Sequence, residues 1–593
     1  CSPTRYGLLT GRYSWRTRLK AAVVPHFDLP LIEQDRMTIA SLLKSKGYAT
    51  ACIGKWHLGL GWQAKDGYSF NPGSWDPEQN LVIDYTKPLT ISPNDHGFDY
   101  FFGINGSNNM LPYCFIENNQ VVTVPDEPKI PIFDTEIEEG LVADDYDSQK
   151  LEQKMHEKAM AWLNKQRNEN PDQPFFLYYP MTAIHRPCLP DEPYMKKSEA
   201  GLRGDKITEV DSIVGSIRSW LIEQGIDDNT MFIFTSDNGP NPGDPIYALQ
   251  KLADNDYGQK YHPDYWIQKD HNISTENPYE KPDGSENYHI YRHFSSGPFY
   301  GYKASIYEGG HRVPFIIKWP GIVPEGVVRN ELVSTLDFIT TFADMLDAEI
   351  PGNAAEDSYS FYPLLMNEPG YSERPNLVHK AWNKNTLAIR KGDWKLIPFK
   401  GSGTNNQNYP DALEAGQLYN IAEDPSESTN LYAQFPDKVK ELTETLDSIG
   451  HKNISRTLPE NFENSALVPE WYNVHNTLNV QPRIVENPEK NSLNSSDSVL
   501  LWVKGKNSKV FAAAMTELEA YDIDFPADSA FIHMKVRKNN TDPVSLQLIR
   551  TYDGESEAGK YPNNPPVRMP CPVANEWIDY VIDFSDPLAK NRS

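Results

Sequence analysis

Short apolar runs bounded by turn-forming residues recur along the first part of this chain. The runs at 175–180 (FFLYYP), 231–235 (MFIFT) and 313–318 (VPFIIK) have the length of fully buried parallel strands. Amphipathic patterns between and after them predict three helices, at about 148–167, 205–224 and 335–347. Strands that alternate with helices predict an α/β sandwich with a mostly parallel central sheet. Residues that carry chemistry are then expected beyond the carboxyl ends of the strands.

The first thirteen residues, CSPTRYGLLTGRY, predict a short helix. Apolar residues lie near helical spacing between Pro3, a typical helix start, and Gly11, a typical stop. Cys1 then lies at the helix N-terminus, where free N–H groups favour negative charge, and Arg5 lies one turn further on. Such surroundings suit a reactive thiol. The alternative interpretation of Cys1 is the lipid-modified first residue of a bacterial lipoprotein.

Residues 31–61 predict a helix followed by a short strand that ends in GKWHLG, residues 54–59. Lys55 and His57 are two residues apart, so an extended segment presents both on one side. The alternative is a solvated lysine beside a structural histidine. The flanking glycines and the position at a strand end favour a functional pair.

Three further segments place chemistry next to apolar runs, two of them after a run and one before it. His185 follows the run at 175–180, where the alternative is an ordinary polar loop residue. Asp237 and Asn238 follow the run at 231–235, and their carboxylate and amide oxygens are donors that calcium prefers, although Asp-Asn-Gly also closes strands by default. Lys303 lies just before the run at 313–318, and its alternative is a surface lysine.

The C-x-P-x-R pattern at residues 1–5, followed by L-T-G-R at 9–12, resembles the signature of the type I, arylsulfatase-like sulfatases. In that family the signature cysteine is oxidised to formylglycine. Other segments match in the family's order, so the resemblance covers roughly residues 1–450. It implies the alkaline-phosphatase-like fold, one calcium ion, and hydrolysis of sulfate esters, here of a sulfated carbohydrate.

The resemblance also implies roles for individual residues. The catalytic residues would be Cys1, Arg5, Lys55, His57, His185 and Lys303. The metal ligands would be Asp237, Asn238 and Cys1. The geminal diol of formylglycine would attack sulfur, with the calcium ion, Lys55 and Lys303 stabilising the charge. His185 would protonate the leaving alcohol, and His57 would help to remove the remaining hydroxyl proton.

Two more segments bear on the site. Glu308-Gly309-Gly310 and Arg312 match the family's E-G-G-x-R, which we interpret as structural support, whereas His311 departs from the family's apolar residue and is a candidate substrate contact. The long segment between Asn241 and Tyr300 predicts a substrate-binding wall, with loop packing as the alternative. Its residues suited to stacking on sugar rings include Trp266, His262, His271, His289 and His293.

Composition excludes several classes of function. Lysine and arginine total 56 against 82 acidic residues, and the formal net charge of −26 argues against a nucleic-acid partner. An anionic substrate therefore requires positive charge that is concentrated locally. No apolar run is long enough to span a membrane. The five cysteines, at 1, 52, 114, 188 and 571, show no zinc-binding spacing and leave disulfides open.

The ends of the sequence shape the expected domain organisation. In sulfatases an Asp-Asp pair upstream of the cysteine binds calcium, whereas Asp144-Asp145 here is interpreted as a helix cap. We therefore expect that the sequence lacks the first strand, two metal ligands and a targeting signal. The expected domains are a catalytic domain at 1–370, an α+β subdomain at 371–455, a linker at 456–495 and an incomplete β-sandwich at 496–593. Within the subdomain, NTLAIRKGDWKLI predicts a hairpin and PDKVKELTETLDSIG predicts a helix.

The resemblance further implies a periplasmic or extracellular location and a formylglycine-generating maturation enzyme as a partner. Two other functions stay open. One is a phosphodiesterase or phosphonate monoester hydrolase of the same superfamily, which shares the fold and the metal. The other is a non-catalytic relative that binds sulfated glycans. The sequence leaves the sugar, the sulfate position and the oligomeric state undetermined.

Overall fold

The computed structural model describes most of the first 450 residues and eight separate strands beyond them. The described ranges are 1–129, 139–185, 188–195, 197–198, 200–241, 295–368, 371, 373–404 and 416–450. The chain divides into two compact units, Cys1–Ile449 and Gly450–Ser593. Every predicted site residue belongs to the first unit.

The helices of the first unit follow the amphipathic patterns closely. They are α1 Ser2–Thr10, α2 Ile39–Ser45, α3 Leu151–Glu169, α4 Gly201–Glu223, α5 Glu308–His311, α6 Phe338–Met345, α7 Tyr362–Leu365 and α8 Pro436–Gly450. Short 3-10 helices lie at Ser14–Arg16, Pro77–Leu81, Pro93–His96, Glu192–Tyr194, Asp227–Asn229 and Thr335–Asp337. The three helices predicted between apolar runs are thus confirmed, with ends that differ by a few residues.

The strands of the first unit form one larger sheet and several smaller ones. They are β1 Ala49–Lys55, β2 Tyr100–Ile104, β3 Ile116–Glu117, β4 Gln120–Val121, β5 Glu127–Lys129, β6 Gly140–Val142, β7 Phe175–Tyr178, β8 Phe232–Thr235, β9 Phe315–Lys318, β10 Leu377–Lys380, β11 Leu387–Lys391, β12 Trp394–Ile397 and β13 Gln417–Asn420. The larger sheet has the order β4-β3-β2-β1-β7.

The centre of that sheet is parallel and its β3–β4 edge is antiparallel. Strand β1 pairs in parallel with both β2 and β7, so that Cys52 lies between Phe101 and Tyr178. All seven residues of β1 are buried, as expected of a strand covered on both faces. Strands β3 and β4 turn back as a hairpin on β2. The sheet is therefore mixed, and the predicted parallel pairing holds for its strands β2, β1 and β7.

The prediction of fully buried parallel strands for the three apolar runs is wrong in two respects. Strands β8 and β9 pair antiparallel with each other, and the residues of β7, β8 and β9 are mostly half-buried. Strand direction and the final burial depend on long-range packing, which a local apolar run does not contain.

Helices α2 and α3 pack apolar faces against this sheet and its neighbours. In α2, Ile39, Leu42 and Leu43 are buried, and a capping box between Thr38 and Ser41 starts the helix. Helix α3 begins after Lys150, with Asp144 and Asp145 exposed in a preceding turn. The interpretation of that acid pair as the cap of α3 is therefore wrong.

A second, antiparallel sheet follows in the order β10-β11-β12-β13. Strands β11 and β12 form the predicted hairpin, and α8 matches the predicted helix at PDKVKELTETLDSIG. This sheet contacts the start of the chain, because the Val378 N–H donates to the Tyr13 hydroxyl oxygen over 2.9 Å. Arg16 also forms a buried ion pair with Asp357, at 2.8 Å.

The described segments of the second unit are all strands. They are β14 Trp471–Val474, β15 Arg483–Glu486, β16 Ser498–Leu501, β17 Ala513–Thr516, β18 Phe531–Arg537, β19 Val544–Leu546, β20 Val567–Met569 and β21 Trp577–Asp583. They pair antiparallel as β14–β17, β15–β16, β18–β21 and β19–β20. This agrees with the strand pattern after residue 496, and two strands also lie within the predicted linker.

Two general expectations concern membranes and disulfides. Among the described residues, no helix combines the length and the apolar character needed to cross a bilayer. Of the four described cysteines, Cys1, Cys52 and Cys114 are free thiols, and all four, including Cys188, are buried. Cys571 lies outside the described residues.

Candidate active site

Helix α1 places the first residue where the sequence predicted it. Cys1 is the N-cap of α1, Pro3 lies in the first turn, and Gly11 ends the helix with a left-handed φ of 66°. Glycine suits that position because it has no Cβ to clash in the left-handed region. The Cys1 side chain is therefore fixed at a helix N-terminus, in a buried position.

Lys55 reaches the Cys1 sulfur from the end of β1. Its Nζ lies 3.1 Å from Cys1 Sγ and 2.8 Å from Ser107 Oγ, and the residue is only 2% exposed. The alternative of a solvated lysine is therefore wrong. Burial, and then the charge of Arg5, hold the pKa of Lys55 well below its ordinary value.

Arg5 ties α1 to the turn after β8. Its Nε and Nη2 donate to one oxygen of Asp237, at 2.9 and 2.7 Å, and its Nη1 donates to the Lys55 carbonyl at 2.7 Å. Burial alone raises the pKa of Asp237, but Arg5 and neighbouring cations outweigh it and hold that pKa well below its usual range. Asp237 is therefore ionised across the working pH range.

The turn at Asp237 and Asn238 is held by close backbone contacts. The Cys1 backbone nitrogen donates to Asn238 Oδ1 over 2.8 Å. A Cβ added at Gly239 would lie 1.8 Å from the Gly309 carbonyl oxygen, so the turn and helix α5 touch backbone to backbone. Glycine at 239 therefore allows this approach. Gly309 and Gly310 of the E-G-G-x-R segment allow a second close contact, since a Cβ added to them would lie 2.2 Å from the Gly301 carbonyl oxygen and 2.4 Å from that of Ser305.

His57 occupies a strained position beyond the end of β1. Its φ is 59°, in the left-handed region that non-glycine residues rarely adopt. Strand β1 ends at Lys55, so the same-side argument for an extended Lys-x-His does not describe this geometry. Instead, the His57 N–H donates to the Asn105 carbonyl at 2.7 Å.

The imidazole of His57 has a defined tautomer. Its Nε2 lies 3.1 Å from the Val24 carbonyl oxygen, which only accepts hydrogen bonds, so Nε2 carries the proton. Its buried Nδ1 has no hydrogen-bond partner. Burial, and then the charge of Lys55, hold the pKa of His57 well below its ordinary value. The ring is therefore neutral and presents a bare Nδ1 as an acceptor.

His185 and Lys303 form the opposite pair. Lys303 Nζ lies 2.7 Å from His185 Nε2, although the two residues are far apart in sequence. The Lys303 N–H donates to the Pro240 carbonyl at 2.9 Å, which attaches this lysine to the Asp237 turn. A cation and an imidazole thus lie together beside the same turn.

Three of the nine non-glycine residues with positive φ in the described part of the chain belong to segments that carry these residues. Besides His57, Ala22 and Ala304 have left-handed φ values of 54° and 78°. Trp382 connects them, since its N–H donates to the Ala304 carbonyl at 2.9 Å and its carbonyl accepts from the Ala22 N–H at 2.8 Å. Such conformations persist only where the surroundings fix them, and they occur often at functional sites.

The fit of a calcium ion rests on Asp237 and Asn238. They offer a carboxylate and an amide oxygen, the hard donors that calcium uses, but the ion takes about six to eight oxygens. Within the described ranges, no group of three histidine, cysteine, aspartate or glutamate side chains is arranged to hold a metal. Because of these two oxygen donors, Asp237 and Asn238 fit as two of the ligands of a calcium ion, and the other oxygens of its shell would come from elsewhere.

Helix α5 is held by a buried charge cluster. Glu308 accepts from Lys395 at 3.0 Å and from Arg390 at 3.3 Å. Burial raises the pKa of Glu308, but Lys395 and Arg390 outweigh it and lower that pKa to about 2. His311, the candidate substrate contact, packs 4.5 Å from His379 between ring centres. The predicted wall between Asn241 and Tyr300 lies largely outside the described residues, as do its five named residues.

Sequence reasoning missed three residues that hold the site. Ser107 accepts from Lys55, while Asn105 and Val24 supply the carbonyls that fix His57. Ser107 and Asn105 lie directly after β2, a parallel neighbour of β1, so the rule that sites lie beyond strand ends was the available signal. The role of Val24 rests on its carbonyl, and no residue pattern marks it.

Comparison with known proteins gives two family matches. The model described as Sulfatase matches residues 1–348, and the model described as N-sulphoglucosamine sulphohydrolase, C-terminal, matches residues 299–452. The N-acetylgalactosamine-6-O-sulfatase of Bacteroides thetaiotaomicron is 32% identical over 484 residues, which cover 76% of this chain and 83% of that protein. Human arylsulfatase A is 27% identical over 473 residues, covering 76% and 77% of the two chains.

Two solved structures share the fold. One, described with the metabolism of multiple glycosaminoglycans by Bacteroides thetaiotaomicron, has a TM-score of 0.58 and 28% identity, and the match covers 76% of this chain and 88% of that one. The other, a sulfatase from Pseudoalteromonas sp., has a TM-score of 0.53 and 22% identity over 76% of this chain and 79% of that one. The second likeness concerns the fold alone.

Proposed function

This chain belongs to the sulfatase family and is a sulfuric ester hydrolase, and from that premise we propose that it acts on a sulfated carbohydrate through a formylglycine made from Cys1. The observation that carries the proposal is the buried contact between Lys55 Nζ and Cys1 Sγ, at 3.1 Å. A lysine that is buried in contact with this sulfur is placed to stabilise negative charge at residue 1.

The choice of a carbohydrate follows from the relatives. The Bacteroides relative is named for N-acetylgalactosamine 6-O-sulfate, and the more similar of the two solved structures is described with glycosaminoglycan metabolism. The charges of the site suit such a substrate. Arg5, Lys55 and Lys303 bring three cations around residue 1 in a protein of net charge −26, as a sulfate ester requires.

Two groups would supply chemistry that side chains lack. A formylglycine at position 1 supplies a hydrated aldehyde as the oxygen nucleophile, and a calcium ion held by Asp237, Asn238 and residue 1 supplies a Lewis acid. Arg5 orients Asp237 for this purpose through its two donated hydrogen bonds. Lys55 holds the reacting atom of residue 1, with Ser107 fixing the lysine from the other side.

The two histidines divide the proton transfers. His57 accepts a proton at Nδ1, since Val24 fixes its proton on Nε2. His185 gives a proton from Nε2 to the leaving oxygen of the alcohol. Lys303 Nζ lies 2.7 Å from that nitrogen, and a proton that its ammonium group passes to Nε2 would be the one that His185 gives to the leaving oxygen.

Paired esters of one phenol test the proposal. The full chain, produced together with a formylglycine-generating enzyme, is assayed on an aryl sulfate and on an aryl phosphonate ester, followed by sulfated mono- and disaccharides. We expect sulfate to be preferred, and we expect Cys1→Ala to abolish turnover because it removes the nucleophile. Cys114→Ala is the matched control, since it removes another buried thiol from the core.

The outcomes separate the rival functions. A preference for the phosphonate ester would assign the chain to the phosphodiesterase and phosphonate hydrolase branch. Binding of sulfated sugars without turnover would indicate a non-catalytic glycan-binding relative. Mass spectrometry that finds only the unmodified thiol at residue 1 of active protein would overturn the proposed nucleophile.

A further inference from the structure

We propose that Trp75 is a stacking platform for a sugar ring next to the sulfated one; this assignment rests on the proposed carbohydrate substrate. Trp75 is 44% exposed, and among the tryptophans of the first unit whose burial the structure describes it alone is exposed. Tryptophan is usually largely buried, so an indole left open to solvent is an informative exception. Where it lies relative to the catalytic residues decides what it does.

Contacts of Val24, His26 and Asn105 link Trp75 to His57. The carbonyl of Val24 accepts from the His57 imidazole at 3.1 Å, and two residues later the ring of His26 meets that of Trp75 with 5.2 Å between centres. Asn105 joins both ends, because its carbonyl accepts from the His57 N–H and its side-chain amide donates to the His26 carbonyl. One network therefore holds both the catalytic histidine and the support of the tryptophan.

The support under Trp75 is a buried ring. His26 is buried, and its ring meets the indole in an edge contact with 81° between the ring planes. Such aromatic pairs have a preferred geometry. This contact restricts the indole before any ligand arrives, which reduces the side-chain entropy lost on binding.

Polar groups lie beside the platform. Arg18 Nη1 donates to Asp28 Oδ2 at 2.5 Å, and Asp28 Oδ1 would lie 3.8 Å from a Cβ added at Gly73. The loop that carries Trp75 therefore passes close to this ion pair at Gly73. The exposed indole itself matches a sugar ring, which has apolar C–H faces and a rim of hydroxyls.

The test compares two substrates in each variant of the full, matured chain. The probes are the disaccharide with a 6-O-sulfated N-acetylgalactosamine residue and a small aryl sulfate, which is too short to reach a second ring. We expect Trp75→Ala to lower the ratio of kcat/KM for the disaccharide over the aryl sulfate about tenfold, chiefly through KM, as for a well-placed interface tryptophan. Trp75→Phe should restore most of the ratio.

Phe435→Ala is the matched control. Phe435 is 43% exposed and packs against Trp394 with 5.2 Å between ring centres, but it belongs to the part of the chain around the second sheet. This variant should keep the wild-type ratio. An unchanged ratio in Trp75→Ala, or equal losses on both substrates, would overturn the platform and leave Trp75 as a structural cap on His26.

A binding measurement separates this inference from the proposed function. Calorimetric titration of the disaccharide into Cys1→Ala and into Cys1→Ala/Trp75→Ala requires no turnover. We expect affinity to fall about tenfold in the double variant, and equal affinities would refute the platform. If the wild type fails to hydrolyse sulfate esters while this difference persists, the proposed function fails and the platform stands.

Discussion

At the scale of single residues, the site depends on one lysine that is kept out of water. Lys55 makes two contacts through its ammonium group, with Cys1 Sγ and Ser107 Oγ. A buried ammonium group is costly unless its donors are satisfied. Ser107 is therefore a positioning residue that acts through Lys55.

Ser107→Ala tests that role. The variant removes a 2.8 Å acceptor from a charged donor, an interaction of about 1.5–3 kcal/mol. We expect kcat to fall about 10- to 100-fold with a smaller change in KM, because the lysine loses its fixed direction rather than its charge. Steady-state kinetics on the aryl sulfate measure this change.

Ser212→Ala provides the comparison. Ser212 also takes part in a hydrogen bond, as the acceptor from the Tyr194 hydroxyl, but on an exposed helix face. The kcat and KM of Ser212→Ala should match those of the wild type. If Ser107→Ala also has the kcat and KM of the wild type, Lys55 is positioned by Cys1 and the backbone alone.

Residue types revealed part of this site in advance. Cys1, Arg5, Lys55 and Asp237 stood out because a motif, a strand end or a turn marked each of them, and the structure brings them into contact. Ser107 did not stand out, since serine after a strand is an ordinary turn residue. The roles assigned to the catalytic and metal residues stay predictions.

At the scale of elements, the contact between the Asp237 turn and helix α5 fixes the site. Gly239 faces the Gly309 carbonyl so closely that no side chain fits between them. Its N–H also donates to the Gly310 carbonyl at 3.0 Å. The positions of the Asp237 carboxylate and of the Asn238 side-chain oxygen therefore depend on glycine at 239.

Gly239→Ala should disrupt this contact. An added methyl group would meet backbone atoms at 1.8 Å, and backbone cannot turn away as a side chain can. We expect a loss of about 1–3 kcal/mol in the free energy of unfolding and a large loss of activity, because the turn must shift. Urea denaturation and the aryl sulfate assay measure the two effects.

Gly215→Ala is the control within helix α4. A Cβ there would meet no atom within 4 Å, so alanine should raise stability by about 0.5–1 kcal/mol through helix propensity. Full activity in Gly239→Ala would contradict the close-contact argument.

The elements themselves were largely predictable. Strong periodicity and clear end signals located α1, α2 and α8, and the hairpin of β11 and β12 followed from its short turn. The direction of β9 did not follow, because pairing with β8 is a long-range choice that a local pattern does not contain.

At the scale of the whole molecule, the predicted family and the alkaline-phosphatase-like fold class are confirmed. The requirement for local positive charge in an acidic protein is met by the cations around residue 1. The domain boundaries and the periplasmic or extracellular location stay predictions. Sequence comparison identifies the fold because the family's motifs lie on many different helices, strands and turns of the chain.

The buried imidazole of His96 lowers the free energy of unfolding of the whole molecule at acidic pH. Burial lowers the pKa of His96 from 6.5 to about 4 against the opposing charges of Asp95 and Glu33. Between these values the unfolded chain binds a proton that the folded chain does not. Stability is therefore full above about pH 6.5 and falls as the pH drops towards 4, by on the order of 3 kcal/mol for this residue.

His96→Phe should reduce that loss. The ring stacks on Trp56 at 6.0 Å, and phenylalanine keeps the stacking without a titrating group. We expect the free energy of unfolding, measured by urea denaturation at pH 7, 5.5 and 4, to fall less steeply in the variant. Parallel slopes for variant and wild type would show that His96 does not titrate in this range.

The contacts of α1 and the turn after it also fix an order of folding events. Tyr13 and Arg16 bond with Val378 and Asp357, more than 340 residues away along the chain. Synthesis runs towards the C-terminus, so Tyr13 and Arg16 are made more than 340 residues before these partners. Contacts of such separation also close slowly. The segment that carries Cys1 therefore completes these contacts only after residues 357 and 378 have been made.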